Sequence, residues 1–306
     1  MRTIQAYGLT HIRRPGSIDA AGVGHPSLQE GCVHQMKRST SEVLCCPLCR
    51  GTLSLRDQGG GGTVAEGSLF CPHCDRSFPI RNGIAHFIDP QQLEGLNARF
   101  ARLYDWFSHV YPFFMRAALL AFGGDRRARK EVLDRLELRG GRTLEVSIGT
   151  GANLPYLFES QNAGEVFGLD VSAGQLARCN SLAARRGWPV ELFLGTAEAL
   201  PFRAESFDCI LHIGGINFFS GKKQAIDEMI RVARPGTKIV IADESERVAG
   251  LLYRISGIAR PNHGRKLDLR VPAHLVPDTM KEIRVDGIWK VHGRYHGYCL
   301  EFRKPA

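Results

Sequence analysis

The chain has 306 residues, of which 43% are hydrophobic, and it carries a formal net charge of +9. This length and composition predict a globular protein of about two domains with a full hydrophobic core. No uncharged apolar run reaches the roughly 18 residues of a membrane-spanning helix, and no secretory segment is recognisable at the N-terminus. We therefore expect a cytoplasmic protein with reduced thiols, which disfavours a disulfide framework for its nine cysteines.

Residues 1–40 lack hydrophobic periodicity and are rich in Gly, Ser, His and Arg, which is typical of a disordered or extended tail. Two CxxC pairs follow, and their spacing is typical of a zinc site in which two tight knuckles aim four thiolates at one point. A site filled by four sulfurs has no open position, so we expect it to be structural. We predict a β-rich zinc ribbon over residues 41–90. Its ligands are expected to be Cys46, Cys49, Cys71 and Cys74.

Residues 91–140 are predicted to form a helical lid or linker. Its first part is rich in aromatic residues and is interrupted at Pro112. Its second part, RRARKEVLDRLEL, is amphipathic. The apolar positions of this second helix predict a buried face made of Val132, Leu133, Leu136 and Leu138.

Beyond residue 141, strand-like and helix-like segments alternate. The strands TLEVSI, EVFGLDV, VELFLG, FDCILHI and KIVIADE are separated by helices that include AGQLARCNSLAARRG and KKQAIDEMIRVARPG. This alternation predicts an α/β domain over residues 141–306, with a mostly parallel sheet and helices on both faces. After an insertion at 247–280, the segments KEIRVDGIWKVHGR and YHGYCLEFRKP predict a closing strand pair that adds an antiparallel strand.

The segment TLEVSIGTG, residues 143–151, joins an apolar strand to a glycine-rich turn. Gly149 and Gly151 let the backbone approach a ligand closely, and Asp170 ends the next strand, where an acid binds ribose hydroxyls. The third glycine of a dinucleotide-binding pattern is missing, which favours a nucleoside ligand without a pyrophosphate.

Over roughly residues 98–304 the chain resembles the class I S-adenosylmethionine-dependent methyltransferases, most closely the branch of the ubiquinone/menaquinone C-methyltransferases. LEVSIGTG is similar to the first motif, LDVS to the second, GTAEALPF to the adenine loop, SFDCILHIGGINFF to the fourth strand with its catalytic-side loop, and EMIRVARPGTKIVIADE to the following helix and fifth strand. The resemblance implies a Rossmann-like sheet of seven strands with S-adenosyl-L-methionine across its carboxyl edge. The cofactor-binding residues that it implies are Glu145, Ser147, Gly149, Gly151, Asp170, Val171, Thr196, Ala197, Glu198 and His212.

The chain departs from this family at two positions. Ser147 stands where the family has the first glycine of its motif, and Thr196 stands where an acidic or amide residue receives the adenine amine. Adenine would then be held by Thr196, by the backbone of Ala197 or by Glu198.

The cysteine-rich segment resembles the zinc ribbon of small methyltransferase-activator proteins, and a related ribbon is fused to bacterial ribosomal RNA guanine-N1 methyltransferases. For the chemistry, four residues are candidates. His212 ends the fourth strand and is either a general base or a hydrogen-bonded buried histidine. Asn217 would orient the acceptor or the cofactor, Asp243 is a candidate base or a helix cap, and Tyr104 resembles a lid residue that covers the cofactor.

We predict an S-adenosylmethionine-dependent methyltransferase that acts on a small-molecule acceptor at carbon or oxygen, such as one of secondary metabolism, because the aromatic lid and the insertion suggest an enclosed pocket. The alternative is a base methyltransferase of rRNA or tRNA, with the ribbon and the basic C-terminal segment gripping RNA. Residues 246–306 carry 12 Lys and Arg against 6 Asp and Glu. A third possibility is a non-catalytic binding module.

Overall fold

The computed structural model of the chain describes residues 35–89, 124–250 and 268–306, all within one compact unit. The strands are β1 (Met36–Lys37), β2 (Ser54–Arg56), β3 (Thr63–Val64), β4 (Gly67–Cys71), β5 (Arg76–Arg81), β6 (Ile84–His86), β7 (Arg142–Val146), β8 (Glu165–Asp170), β9 (Val190–Leu194), β10 (Cys209–Ile213), β11 (Lys238–Glu244), β12 (Lys281–Val291) and β13 (Arg294–Arg303). The helices are α1 (Asp125–Leu133), α2 (Leu154–Leu157), α3 (Ala173–Arg186) and α4 (Lys222–Val232). Short 3-10 turns lie at Arg38–Val43, Ala197–Ala199, Ile216–Phe218 and Pro272–Leu275.

A mixed sheet of eleven strands runs through the described residues in the order β12-β13-β11-β10-β7-β8-β9-β6-β5-β4-β2, and β1 pairs with β3 in a separate two-stranded sheet. Strands β7 to β11 are mutually parallel. Strand β13 lies antiparallel to β11, which confirms the prediction that the closing strand pair adds an antiparallel strand. The carboxyl ends of five parallel strands therefore meet at one edge, which is where open α/β sheets bind ligands.

The central strands form because their side chains are apolar on both faces. Four of the five residues of β7 and all five of β9 are buried, as expected for parallel strands covered by helices on both sides. Helix α3 begins where the Ser172 hydroxyl accepts the backbone N–H of Gln175, and it ends at Gly187 in the left-handed conformation. The predicted α/β architecture with helices on both faces is confirmed.

Helix α1 is shorter than the amphipathic pattern predicts, because it ends at Leu133 rather than continuing to Leu138. The chain turns after Asp134, and the Arg135 guanidinium forms ion pairs with Asp286 at 2.7 Å and Glu301 at 2.5 Å. These partners come from β12 and β13, so the end of the helix is decided by tertiary contacts that no local residue signals. The rest of the predicted lid, residues 91–123, lies outside the described residues.

The ribbon is part of the same sheet. Strand β6 pairs in parallel with β9, where Ala85 lies opposite Phe193 and His86 opposite Leu194. The predicted Asn82-Gly83 turn joins β5 to β6, with φ of 51° and 73° at the two residues. The ribbon therefore extends the edge of the α/β sheet directly.

The ribbon also begins earlier than residue 41. Met36 is completely buried in β1, and the backbone N–H of Lys37 donates to the Glu191 carboxylate at 3.2 Å. Residues 36–40, which the sequence places in the tail, are thus held by β3 and β9. These partners lie far along the chain, so local periodicity gives no sign of them.

None of the helices within the described ranges is long and apolar enough to cross a lipid bilayer.

Candidate active site and zinc centre

Four cysteine thiols converge in the ribbon. The sulfurs of Cys46, Cys49, Cys71 and Cys74 all lie within 4.8 Å of one another, with Cys46–Cys74 at 3.6 Å and Cys49–Cys71 at 3.5 Å. A tetrahedral zinc with Zn–S bonds of about 2.3 Å would separate its sulfurs by about 3.8 Å, so the group fits the metal. No disulfide joins these cysteines.

The backbone of the first knuckle encloses the sulfurs closely. A Cβ added at Gly51 would lie 3.3 Å from the sulfurs of both Cys49 and Cys71. Cys45 packs in the core beside the site, where burial raises the pKa of its thiol, and it does not belong to the sulfur cluster. His73 is exposed and also lies outside the cluster. The four-cysteine set therefore needs no substitute ligand.

A cleft lies at the carboxyl edge of the sheet and is partly open to solvent. The predicted residues on its walls are Glu145, Ser147, Gly149, Asp170 and Val171. The structure therefore brings half of the implied cofactor-binding set together around one cleft.

The glycine-rich turn bends sharply at the mouth of this cleft. Ser147, Gly149 and Gly151 all adopt the left-handed conformation, with φ of 64°, 57° and 78°. A Cβ at Gly149 would lie 2.7 Å from the Gln175 side-chain oxygen, so a larger residue would have to displace that side chain and would also strain the backbone. Ser147 thus reproduces the backbone of the glycine it replaces, at a conformational cost of about 1 kcal/mol.

Asp170 ends β8 and is bonded to two backbone amides. Its carboxylate accepts the N–H of Gly149 at 2.8 Å and that of Ser172 at 2.9 Å. These bonds hold the carboxylate at the junction of the glycine turn and α3, on the wall of the cleft.

Glu145 is almost fully buried, yet it faces the same cleft. Its Oε1 accepts the Asn153 amide at 2.6 Å, whereas its Oε2 has no hydrogen-bond partner among the described residues. Burial raises the pKa of Glu145 to about 7, against the opposing effects of Asn153 and Arg129. A carboxylate with one oxygen unsatisfied is well suited to receive a cationic group of a ligand.

Asp243 and Asn217 lie behind the wall of the cleft. The Asp243 carboxylate is completely buried and accepts the backbone N–H groups of Gly215, Asn217 and Glu244 at 2.9–3.4 Å, together with the Asn217 amide at 3.3 Å. The Lys222 ammonium donates to the side-chain amide oxygen of Asn217 at 2.9 Å. These contacts organise the loop after β10, which is a positioning role.

His212 is also enclosed in the sheet. Its Nδ1 lies 2.9 Å from the Val146 carbonyl, and its Nε2 is buried without a partner among the described residues. Burial lowers the pKa of His212, although Asp243 opposes this shift. Its ring packs against Phe219, which does line the cleft, so His212 supports that wall from behind.

The predicted adenine loop, which we call the 195–202 loop, follows β9. The Gly195 N–H donates to the Asp170 carbonyl at 2.9 Å, so the loop begins beside the ribose acid. Thr196 precedes the 3-10 turn, in which Ala197 and Glu198 are buried. The Glu198 carboxylate accepts the Gly221 N–H at 3.1 Å. Of the remaining candidates, Gly151 is a buried residue of the glycine turn, and Tyr104 lies outside the described residues.

Among the residues of the cleft, sequence reasoning missed Arg129 and Asn153. Arg129 reaches it from α1 and donates to the Asn153 side-chain oxygen at 2.8 Å, and Glu244 lies on its wall while Asp243 points away. Arg129 could have been found, because it lies three and four positions before Val132 and Leu133 on the predicted apolar face. Asn153 carried no signal beyond its place just after the glycine turn.

Two family models match the chain. The methyltransferase domain model matches residues 144–241, and the Trm112p-like protein model matches residues 37–83. The first covers the strands that form the cleft, and the second covers both cysteine knuckles.

Curated relatives give the same picture. The demethylmenaquinone methyltransferase of Thermus thermophilus is 31% identical over 191 residues, which cover 57% of this chain and 87% of that protein. A ubiquinone/menaquinone biosynthesis C-methyltransferase of Geobacter sulfurreducens is 30% identical over 181 residues, which cover 56% of this chain and 70% of that protein.

Solved structures share the fold. The cyclase SpnF superposes with a TM-score of 0.52 at 20% identity and covers 70% of this chain and 98% of that chain. A chain from the complex between the Haloferax volcanii Trm112 methyltransferase activator and a methyltransferase superposes with a TM-score of 0.51 at 14% identity, covering 66% of this chain and 98% of that chain. At these identities the likeness concerns the fold alone.

Proposed function

Because this chain belongs to the class I S-adenosylmethionine-dependent methyltransferases, we propose that it methylates a small-molecule acceptor on carbon or oxygen. The observation that carries the proposal is the cleft in which Glu145, Asp170 and the glycine turn converge. The cofactor supplies a methyl group on a sulfonium when it is bound. The protein then has to align the acceptor and exclude water.

The polar residues of the cleft suit the parts of this cofactor. Asp170 would accept hydrogen bonds from the ribose hydroxyls. One oxygen of Glu145, which has no partner among the residues that the structure describes, would receive the ammonium group, and Arg129 offers a guanidinium to the carboxylate. The residues present therefore fit the cofactor at its ribose and at its amino-acid part.

Glu244 is the acid best placed to receive a proton from the acceptor. It lies on the wall of the cleft, and burial together with the neighbouring Asp243 raises its pKa well above the ordinary value. A carboxylate with a raised pKa is a stronger base than an exposed one. This step applies to an acceptor that must lose a proton.

The apolar part of the cleft supports a small, apolar acceptor. Ile148, Ile213 and Phe219 line it beside the polar groups. Relatives named for demethylmenaquinone support an aromatic acceptor of quinone type.

Methylation of an RNA base is the second candidate, and the match of the ribbon to the Trm112p-like model favours it. The charges of the C-terminal segment within the described residues give RNA binding less support. In the basic C-terminal segment, Arg270 pairs with Asp268 at 2.8 Å, and Arg284 pairs with Asp286 at 2.6 Å. Paired charges contribute little to the electrostatic attraction that non-specific RNA binding needs. We therefore propose that the ribbon, with a structural zinc, braces the sheet.

Calorimetry with S-adenosylhomocysteine, followed by transfer of labelled methyl groups to a prenylated naphthoquinol or to total RNA, tests the proposal. We expect micromolar binding of the product and labelling of the naphthoquinol. No binding of S-adenosylhomocysteine would leave only the non-catalytic binding module. Labelling of RNA instead of small molecules would overturn the acceptor class.

A further inference from the structure

Arg50 has an unusual backbone conformation directly after the first zinc knuckle. Its φ is 62°, in the left-handed region that favours glycine, at a cost of about 1 kcal/mol. Asp75 holds the equivalent position after the second knuckle, with φ of 55°. Strain of this kind persists only where the surrounding structure holds it in place.

The Arg50 side chain crosses from the ribbon to the 195–202 loop. Its Nη1 donates to the Leu200 carbonyl at 2.9 Å, and its Nη2 forms an ion pair with Glu228 at 2.8 Å. The buried Glu228 in turn accepts the Leu200 N–H at 2.9 Å. Glu228 thus holds the Leu200 amide. Arg50 holds the Leu200 carbonyl together with Arg231, whose guanidinium donates to the same carbonyl at 3.0 Å and also pairs with Glu228.

Two further backbone bonds connect the same parts. The Cys45 N–H donates to the Pro201 carbonyl at 2.9 Å, and the Arg203 N–H donates to the Val43 carbonyl at 2.9 Å. At its other end, the loop is bonded through Gly195 to Asp170. Direct contacts thus lead from the zinc knuckle to the backbone of Asp170, whose carboxylate is proposed to bind ribose.

From this geometry we infer that Arg50 is a positioning residue, which holds the 195–202 loop in the conformation that binds the adenine end of the cofactor. The inference rests on the proposed function, because it assigns this loop to the cofactor. An intact zinc knuckle fixes the backbone of Arg50 and thereby raises cofactor affinity. The ribbon then contributes to the active site without touching the substrate.

The test is the affinity of the zinc-loaded full chain for S-adenosylhomocysteine, measured by calorimetry. Arg50→Gly removes the side chain and also relieves the left-handed strain. We therefore expect a full zinc content and an unchanged thermal midpoint, but about fivefold weaker binding. A residue that served stability alone would lower the thermal midpoint and leave the affinity unchanged.

Asp75→Gly is the matched control, because it relieves the same strain at an exposed side chain that makes no hydrogen bond to the described residues after 124. It should keep the wild-type affinity. Wild-type affinity in Arg50→Gly would overturn the inference, whereas a wild type that binds no S-adenosylhomocysteine would overturn the proposed function instead.

A second variant covers the case in which Arg50→Gly holds less than a full zinc. Arg50→Gln keeps a polar side chain but lacks the guanidinium, and we expect the same weakening of binding. Wild-type affinity in this variant, or loss of zinc from both variants, would also overturn the inference, because Arg50 would then serve only the knuckle.

Discussion

The backbone N–H of Gly149 donates a 2.8 Å hydrogen bond to the Asp170 carboxylate, which joins the turn after β7 to the end of β8. The bond holds the acid in the cleft before any ligand arrives, so little ordering is needed on binding. Such pre-organisation raises affinity by lowering the cost of ordering the site.

We predict that Asp170→Asn weakens S-adenosylhomocysteine binding at least about fivefold. The amide brings a second donor towards the Gly149 N–H and offers fewer acceptors to the ribose, at a cost of about 1–3 kcal/mol. Calorimetry gives the affinity, and thermal unfolding gives the stability.

Asp208→Asn is the control for this prediction. Asp208 also accepts a backbone N–H, that of Arg142 at 2.8 Å, but at the opposite edge of the sheet. It should lower stability and leave affinity unchanged. Equal losses of affinity in both variants would mean that Asp170 acts through the fold alone.

Glu145 should make cofactor binding depend on pH. Its pKa of about 7 means that it is largely protonated at pH 6 and ionised at pH 8. If the ionised form binds the ammonium group, affinity rises roughly tenfold between these pH values. Calorimetry with S-adenosylhomocysteine across this range measures the rise, and Glu145→Gln should abolish it.

Glu191 provides the comparison, because burial also raises its pKa to about 7 but it contacts the ribbon instead of the cleft. A raised carboxyl pKa favours the folded state below the unfolded value, and this contribution is lost as pH rises through about 7. Both Glu145→Gln and Glu191→Gln should flatten the fall of stability with pH. Only Glu145→Gln should flatten the dependence of affinity on pH. If Glu145→Gln keeps the pH dependence of the wild type, the assignment of the ammonium group to Glu145 is refuted.

Ser147 should limit stability through its backbone. Its φ of 64° strains any residue with a Cβ, so Ser147→Gly is expected to raise the free energy of unfolding by about 0.5–1 kcal/mol. Thr150 lies in the same turn without a positive φ, so Thr150→Gly should lower it by about the same amount. Chemical denaturation of the two variants gives the comparison, and changes of the same sign would contradict the strain argument.

The zinc site should be required for the ribbon. We expect about one zinc per chain by elemental analysis, and its removal by a chelator should lower the thermal midpoint, since structural zinc contributes on the order of 10 kcal/mol to small domains. Cys46→Ser should lose the metal, while Cys45→Ser at the preceding position should keep it, because Cys45 lies outside the sulfur cluster. Full zinc in Cys46→Ser would show that the ligand set is different.

The order of strands and helices after residue 141 was predictable because hydrophobic periodicity is a local property. The relationship to methyltransferases and to a zinc ribbon, expected from the motifs, is confirmed by the matched families and relatives. At the strand ends, the direction in which each side chain points is not a property that spacing along the chain reveals. Asp243 and Glu244 are neighbours in sequence, yet only Glu244 faces the cleft, because successive residues of a strand point to opposite faces.

By itself, the sequence determined the features that depend on spacing along the chain: the two cysteine knuckles, the glycine turn and the acid at the end of β8. Only the tertiary structure decided that β6 joins the ribbon to β9, that Arg50 reaches Leu200, and that one oxygen of Glu145 is buried without a partner among the described residues. The physical reason is distance along the chain. Local spacing fixes how a segment bends, whereas burial and long-range partners exist only after distant segments have packed together.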